Sequence, residues 1–195
     1  MDAVQYFLPH HEITHVRWKK QLLDGLTEDQ IRARPHPAVN SIAWLLWHMA
    51  RTEDVGLSVF IACRPQLADD EDWFTRLNVA RRDIGTGMTD AEVRRLSAEI
   101  DLRALDAYWD AITRRTQRIV RELDPAVLDE IVDPAYAHEA IKRDGLLQES
   151  QQWAVEGWTE GHTRGFFLNY LAANHVSNHF GEARTARALH GFRGR

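Results

Sequence analysis

Apolar side chains recur along this chain with the three-and-four spacing of an α-helix, and no run shows the alternation of a strand. Between Val4 and Leu22 the positions Val4, Leu8, His11, His15, Trp18 and Leu22 form one stripe and predict a first long helix, with Pro9 at the start of its regular part or at a kink. Gly25 suits a C-terminal cap, and Thr27-Glu28-Asp29-Gln30 reads as a capping box for a short turn that Pro35 and Pro37 close. Asn40 or Ser41 can cap a second helix running to about Cys63, with Ile42, Leu45, Met49, Thr52, Val59 and Phe60 near its buried face and His48 beside it. Thr89-Asp90-Ala91-Glu92 is another capping box, and opens a short helix. The clearest stripe then follows, Leu102, Leu105, Trp109, Ile112, Thr116, Ile119 and Leu123, a third long helix stopped by Asp124-Pro125. A fourth, from roughly Thr159 to near Gly191, carries Phe167, Tyr170, Leu171, Asn174, His175, His179, Ala183 and Ala186 on its inner face.

Four long amphipathic helices without strands predict an all-α four-helix bundle. The long stretches after Arg64-Pro65 and after Ala126 predict crossover connections rather than a plain up-and-down arrangement. A chain of 195 residues is read as one domain, 1–195. Its 44% hydrophobic and 27% charged residues are those of an ordinary globular protein. A formal charge of -5 offers no basic surface for a phosphate backbone, so nucleic acid is not expected as a partner. The single cysteine, Cys63, excludes an intrachain disulfide and is read as a buried apolar residue. The stretch from Met1 to Gln5 lacks a signal-peptide pattern, and Ile42 to Ala50 is too short to span a bilayer, so the expected location is cytoplasmic with no membrane partner.

The candidate chemistry is imidazole. His175 and His179 are four residues apart, which places them one above the other, roughly 6 Å apart along a helix axis. Such a pair can share a metal ion, although a lone H-x-x-x-H is more often a hydrogen-bonded pair on a helix face. With His48 from the second helix the set becomes three nitrogens, which leave a coordination position for water or substrate as catalytic sites do. A second pattern, His11-Glu12-Ile13-Thr14-His15, matches the H-E-x-x-H signature of zinc peptidases literally, but only ten residues precede it and no sheet is predicted. Buried histidines bonded to neighbouring helices are the better reading of His11 and His15.

The stretch Ser41-Ile42-Ala43-Trp44-Leu45-Leu46-Trp47-His48-Met49-Ala50-Arg51-Thr52-Glu53-Asp54, taken with Asn174-His175-Val176-Ser177-Asn178-His179-Phe180-Gly181-Glu182-Ala183-Arg184, resembles the DinB-like (DinB/YfiT) superfamily. The order of four long helices and two long connections is similar too. The resemblance implies an up-down-down-up bundle in which His48, His175 and His179 bind a divalent metal, zinc or nickel first and iron next. It also implies a homodimer and a metal-dependent transferase acting on a small molecule, with a low-molecular-weight bacterial thiol as donor. The rival reading is a metal-binding or stress-response bundle without turnover.

Glu182 is the candidate catalytic residue, either orienting a ligand histidine or acting as a base, with an arginine pair at the bundle mouth as the plain alternative. Glu53, five residues after His48, is read as a surface or helix-pair charge. Trp18, Trp44, Trp47 and Trp109 are placed as core, while Trp153 and Trp158 precede the histidine-bearing helix, where they could cover a cavity.

Overall fold

The structure, a computed structural model, describes residues 3–192. Met1 and Asp2, part of the stretch read for a signal, lie outside the described residues, as does the last stretch of the expected domain. Four long helical segments dominate: α1 (residues 3–23), α2 (42–61), α3 (Leu102–Glu122) and α4 (164–189). Each begins or ends where the sequence supplies the chemistry. The Ser41 hydroxyl accepts from the Trp44 N–H at 3.0 Å and so caps α2. Asp101 caps α3 through the N–H groups of Arg103 and Ala104, and Thr163 caps α4 through that of Phe166. Gly25, with φ at +76°, lets the chain leave α1 in the left-handed region.

The helix directions follow from the cross-contacts. Along α1, Glu12 meets Gln117 and Lys19 meets Asp106, so α1 and α3 are antiparallel. His10 contacts Ser177 and Leu22 contacts Arg187, so α1 and α4 run together. Asn40 meets Glu182 while Gly56 packs on Leu171, which makes α2 antiparallel to α4. The bundle therefore runs up-down-down-up. Parallel α2 and α3 require the long crossover between them, and the buried Asp54 carboxylate pins it by accepting from the Leu67 and Ala68 N–H groups and the Tyr108 hydroxyl. That connection holds short helices at Leu67–Asp70, Trp73–Arg76 and Asp90–Glu99; the later one holds Pro134–Asp144 and Gln152–Trp158.

Three findings correct the expectations. Every residue of α2 is buried, so it is a central helix with no solvent face. The inner face of α4 is the expected one in part: Phe167, Leu171, Ala183 and Ala186 are buried, but Tyr170 is 38% exposed and Asn174 is exposed, and Val176 and Phe180 are buried as well. The cause is a π-helical turn at Tyr170–Asn174, whose extra residue stretches one gap in the stripe from four to five. Cys63 is exposed, at φ +50° just past the end of α2, with its Sγ 3.2 Å from Arg164 Nη1. Among the described residues there is no strand, only one isolated bridge between Ile131 and Thr163, and no helix long and apolar enough to cross a membrane.

Candidate metal centre

His48 sits in the middle of α2, where Ile42 to Val55 form uninterrupted helix, and His175 opens the regular part of α4 directly after its π-helical turn. Such turns re-aim the side chains that follow them. The antiparallel packing of α2 on α4 brings the three rings together, with centroids 4.7 Å apart for His48 and His175, 4.8 Å for His48 and His179, and 4.5 Å for His175 and His179. One ligand nitrogen from each lies within 4.8 Å of the others, an arrangement that could hold a metal ion.

The free nitrogens are set by what the others bind. His48 Nδ1 donates to the Ile84 carbonyl, which fixes the tautomer and leaves Nε2 with its lone pair. His179 Nδ1 donates to Glu182 Oε2 at 3.1 Å, and Glu182 Oε1 in turn accepts from the Asn40 backbone N–H and amide. Glu182 therefore holds a ligand-candidate ring rather than an arginine. His175 Nδ1 is buried without a hydrogen-bond partner. Burial, reinforced by the neighbouring His179, pushes His48 down to about 4, and burial with His48 and His179 close by lowers His175 well below its ordinary value. Both rings are thus neutral at pH 7, the form that ligates metal. Burial alone would raise the Glu182 carboxyl, but the hydrogen bonds from His179 and Asn40 outweigh it and keep the group ionised.

The three histidines open on a cavity of about 380 Å³ walled by Trp44, Trp158, Tyr170 and the loop from Ile84 to Met88, with the exposed Trp153 at its rim. Among the described residues no Asp, Glu, Lys or Arg lines it. Trp44 stacks on His48 with 16° between the planes. Gly85 permits the loop's close approach, since a Cβ there would lie 2.5 Å from the Trp47 ring. Thr52, one helical turn beyond His48, is among the residues that line the cavity, and its hydroxyl is buried without a hydrogen-bond partner. Its i, i+4 spacing from His48 was the signal for this role; the carbonyl of Ile84 and the amide of Asn40 carried none.

Glu53 is the largest departure from the sequence reading. It is 1% exposed and lies between His11 and His15, accepting from the Thr116 hydroxyl as well. A side chain five residues after His48 points to the far side of α2, and because α2 is central that side is core too. Burial would raise its pKa, but the two imidazoles outweigh that and hold the carboxyl well below the usual carboxylate range. Glu12, which a peptidase would need beside its two histidines, is exposed and accepts from Gln117 Nε2 at 2.9 Å. The H-E-x-x-H pattern is thus not assembled as a peptidase site.

Comparison with known proteins agrees with this architecture. Residues 20–183 match the DinB superfamily. A solved structure, described as the conserved protein of locus from Enterococcus faecalis, superposes with a TM-score of 0.71 at 20% identity, covering 97% of this chain and 97% of that one. No curated protein matches the sequence.

Proposed function

We propose a metal-centred chemistry for this protein on one established premise: the chain belongs to the DinB superfamily. The reading is a single-domain enzyme that holds one divalent ion on His48, His175 and His179 and transfers a low-molecular-weight thiol to a small electrophile. The observation that carries it is the convergence of three imidazoles, two of them held neutral by burial, on the floor of an uncharged cavity. A divalent ion there would favour the thiolate form of a bound thiol at neutral pH and so supply the nucleophile.

The chain's own residues do the rest. The Ile84 carbonyl and Glu182 hold the rings of His48 and His179 in fixed tautomers, so that their Nε2 atoms face the cavity. The aromatic walls would limit the water left around the reacting atoms once a substrate fills the cavity. The Thr52 hydroxyl, buried beside the cavity without a partner, would gain a hydrogen bond from a substrate atom that reached it. Glu182, hydrogen-bonded on both oxygens, is better placed to position His179 than to act as a free base.

The test is transfer activity. Protein loaded separately with zinc, nickel and ferrous iron is offered small electrophiles with several bacterial thiols, before and after chelation. Thiol consumption that chelation abolishes and readdition of metal restores supports the reading; full activity in metal-free protein overturns it. Metal-loaded protein that consumes no thiol with any electrophile would instead support a bundle without turnover.

A further inference from the structure

The motif on α1 that the cavity does not use forms a cluster of its own. His11 and His15 are 0% and 2% exposed, and their rings stack with centroids 3.7 Å apart and 15° between planes. Both present Nε2 to the same carboxylate: His11 to Glu53 Oε1 at 2.8 Å, and His15 to Oε2 in a still shorter contact. A second π-helical turn, Ile13–Trp18, begins between the two histidines. None of these residues lines the cavity that holds His48, His175 and His179.

Counting protons makes the cluster unusual. His15 Nδ1 lies 3.0 Å from the His11 carbonyl oxygen, which can only accept, and 2.9 Å from the Thr14 hydroxyl, which can donate or accept. With the ring hydrogen on Nδ1, the neutral ring directs its Nε2 lone pair at a carboxylate oxygen, and a cation between the two turns that contact from repulsive to favourable. A metal-bound histidine is commonly oriented by donating its other ring N–H to a backbone carbonyl, as His15 Nδ1 can to that of His11. His11 converges from the other oxygen, and its Nδ1 is buried without a partner. The hydroxyl of Thr116, on α3, donates to Glu53 Oε1 and holds the carboxylate in place.

We propose that His11, His15 and Glu53 form a second divalent-metal site, closed to substrate, in which the ion takes the place between His15 and Glu53 that a proton fills in its absence. The donor set, two imidazole nitrogens and a carboxylate with a hydroxyl nearby, is one that zinc accepts in tetrahedral geometry. The ligand atoms already lie within 4.8 Å of one another. Bonds of about 2.1 Å at tetrahedral angles put donors about 3.4 Å apart, so the present contacts open by about 1 Å or less. Full burial means that the ion enters as the chain folds, and its ligands tie α1 to α2. The site makes no use of the cavity triad, so it stands or falls independently of the proposed transferase function.

The experiment separates the two sites by stoichiometry. Full-length chains without an affinity tag are produced in zinc-supplemented medium as the wild type, His48→Ala/His179→Ala and Glu53→Gln, checked for native helicity by circular dichroism, and analysed for zinc. Two equivalents are expected in the wild type, one in the double variant and one in Glu53→Gln. Folded double variant without zinc, or folded Glu53→Gln with the wild-type content, overturns the site. Should Glu53→Gln not fold, the double variant refolded with zinc or with chelator decides: a higher melting midpoint with zinc supports the site, and equal midpoints overturn it.

Discussion

Imidazole is used in two opposite settings in this molecule, and in each the second ring nitrogen decides which. In the cavity, His48 and His179 spend Nδ1 on an oxygen acceptor and keep Nε2 for the interior of the cavity. On the far side of α2, His11 and His15 spend Nε2 on Glu53. These groups make the apoprotein acid-sensitive. His48 is lowered to about 4 by burial from an ordinary value of 6.5, so in the folded state it stays neutral where the unfolded chain already binds a proton. Stability is therefore lost as the pH falls from about 6.5 towards 4. Below about 4.5 Glu53, whose folded value is depressed, adds a loss of the same sign because the unfolded carboxylate protonates first. Urea unfolding of metal-free protein is expected to show roughly 2–3 kcal/mol less stability at pH 4.5 than at pH 7. His48→Gln should flatten the upper part of that limb; a wild type equally stable at both values would contradict the assignment.

At the scale of elements, the long helices were readable because their stripes and caps agree, as Ser41 at α2 and Thr89 at the short helix before α3 show. What was not readable is whatever depends on departures from regular helix or on neighbours in space. The π-helical turn in α4 offsets the stripe by one residue, so a regular 3.6-residue period puts Asn174 inward and leaves out Val176, the reverse of their burial. The burial of Glu53 is not legible in the sequence because a hydrophobic stripe marks one face of a helix and cannot announce that the opposite face is also covered. The pair His175 and His179 survives the shift because both residues follow the turn. Contact between α2 and α4 is close at Gly56, where an added Cβ would meet the Leu171 side chain at 2.7 and 2.8 Å, one of those atoms being its Cβ. Gly56→Ala should therefore lower stability by about 1–3 kcal/mol despite the better helix propensity of alanine, as measured by thermal or urea unfolding. A gain in stability would show that the two helices separate easily there.

Taken as a whole, the molecule is an up-down-down-up bundle whose central helix carries chemistry on two sides: His48 and Thr52 towards the cavity, Glu53 towards α1. The crossovers do more than connect. The first delivers the Ile84 carbonyl that fixes His48, and the second delivers Trp153 and Trp158 to the cavity wall. Three ligand-candidate histidines from two helices, supported by Ile84, Glu182 and Asn40, make one testable claim above the others. Elemental analysis of tag-free protein beside its His48→Ala and His179→Ala variants addresses it directly. The account predicts that each variant, folded as the wild type, carries one metal equivalent fewer; equal metal content in all three would contradict it.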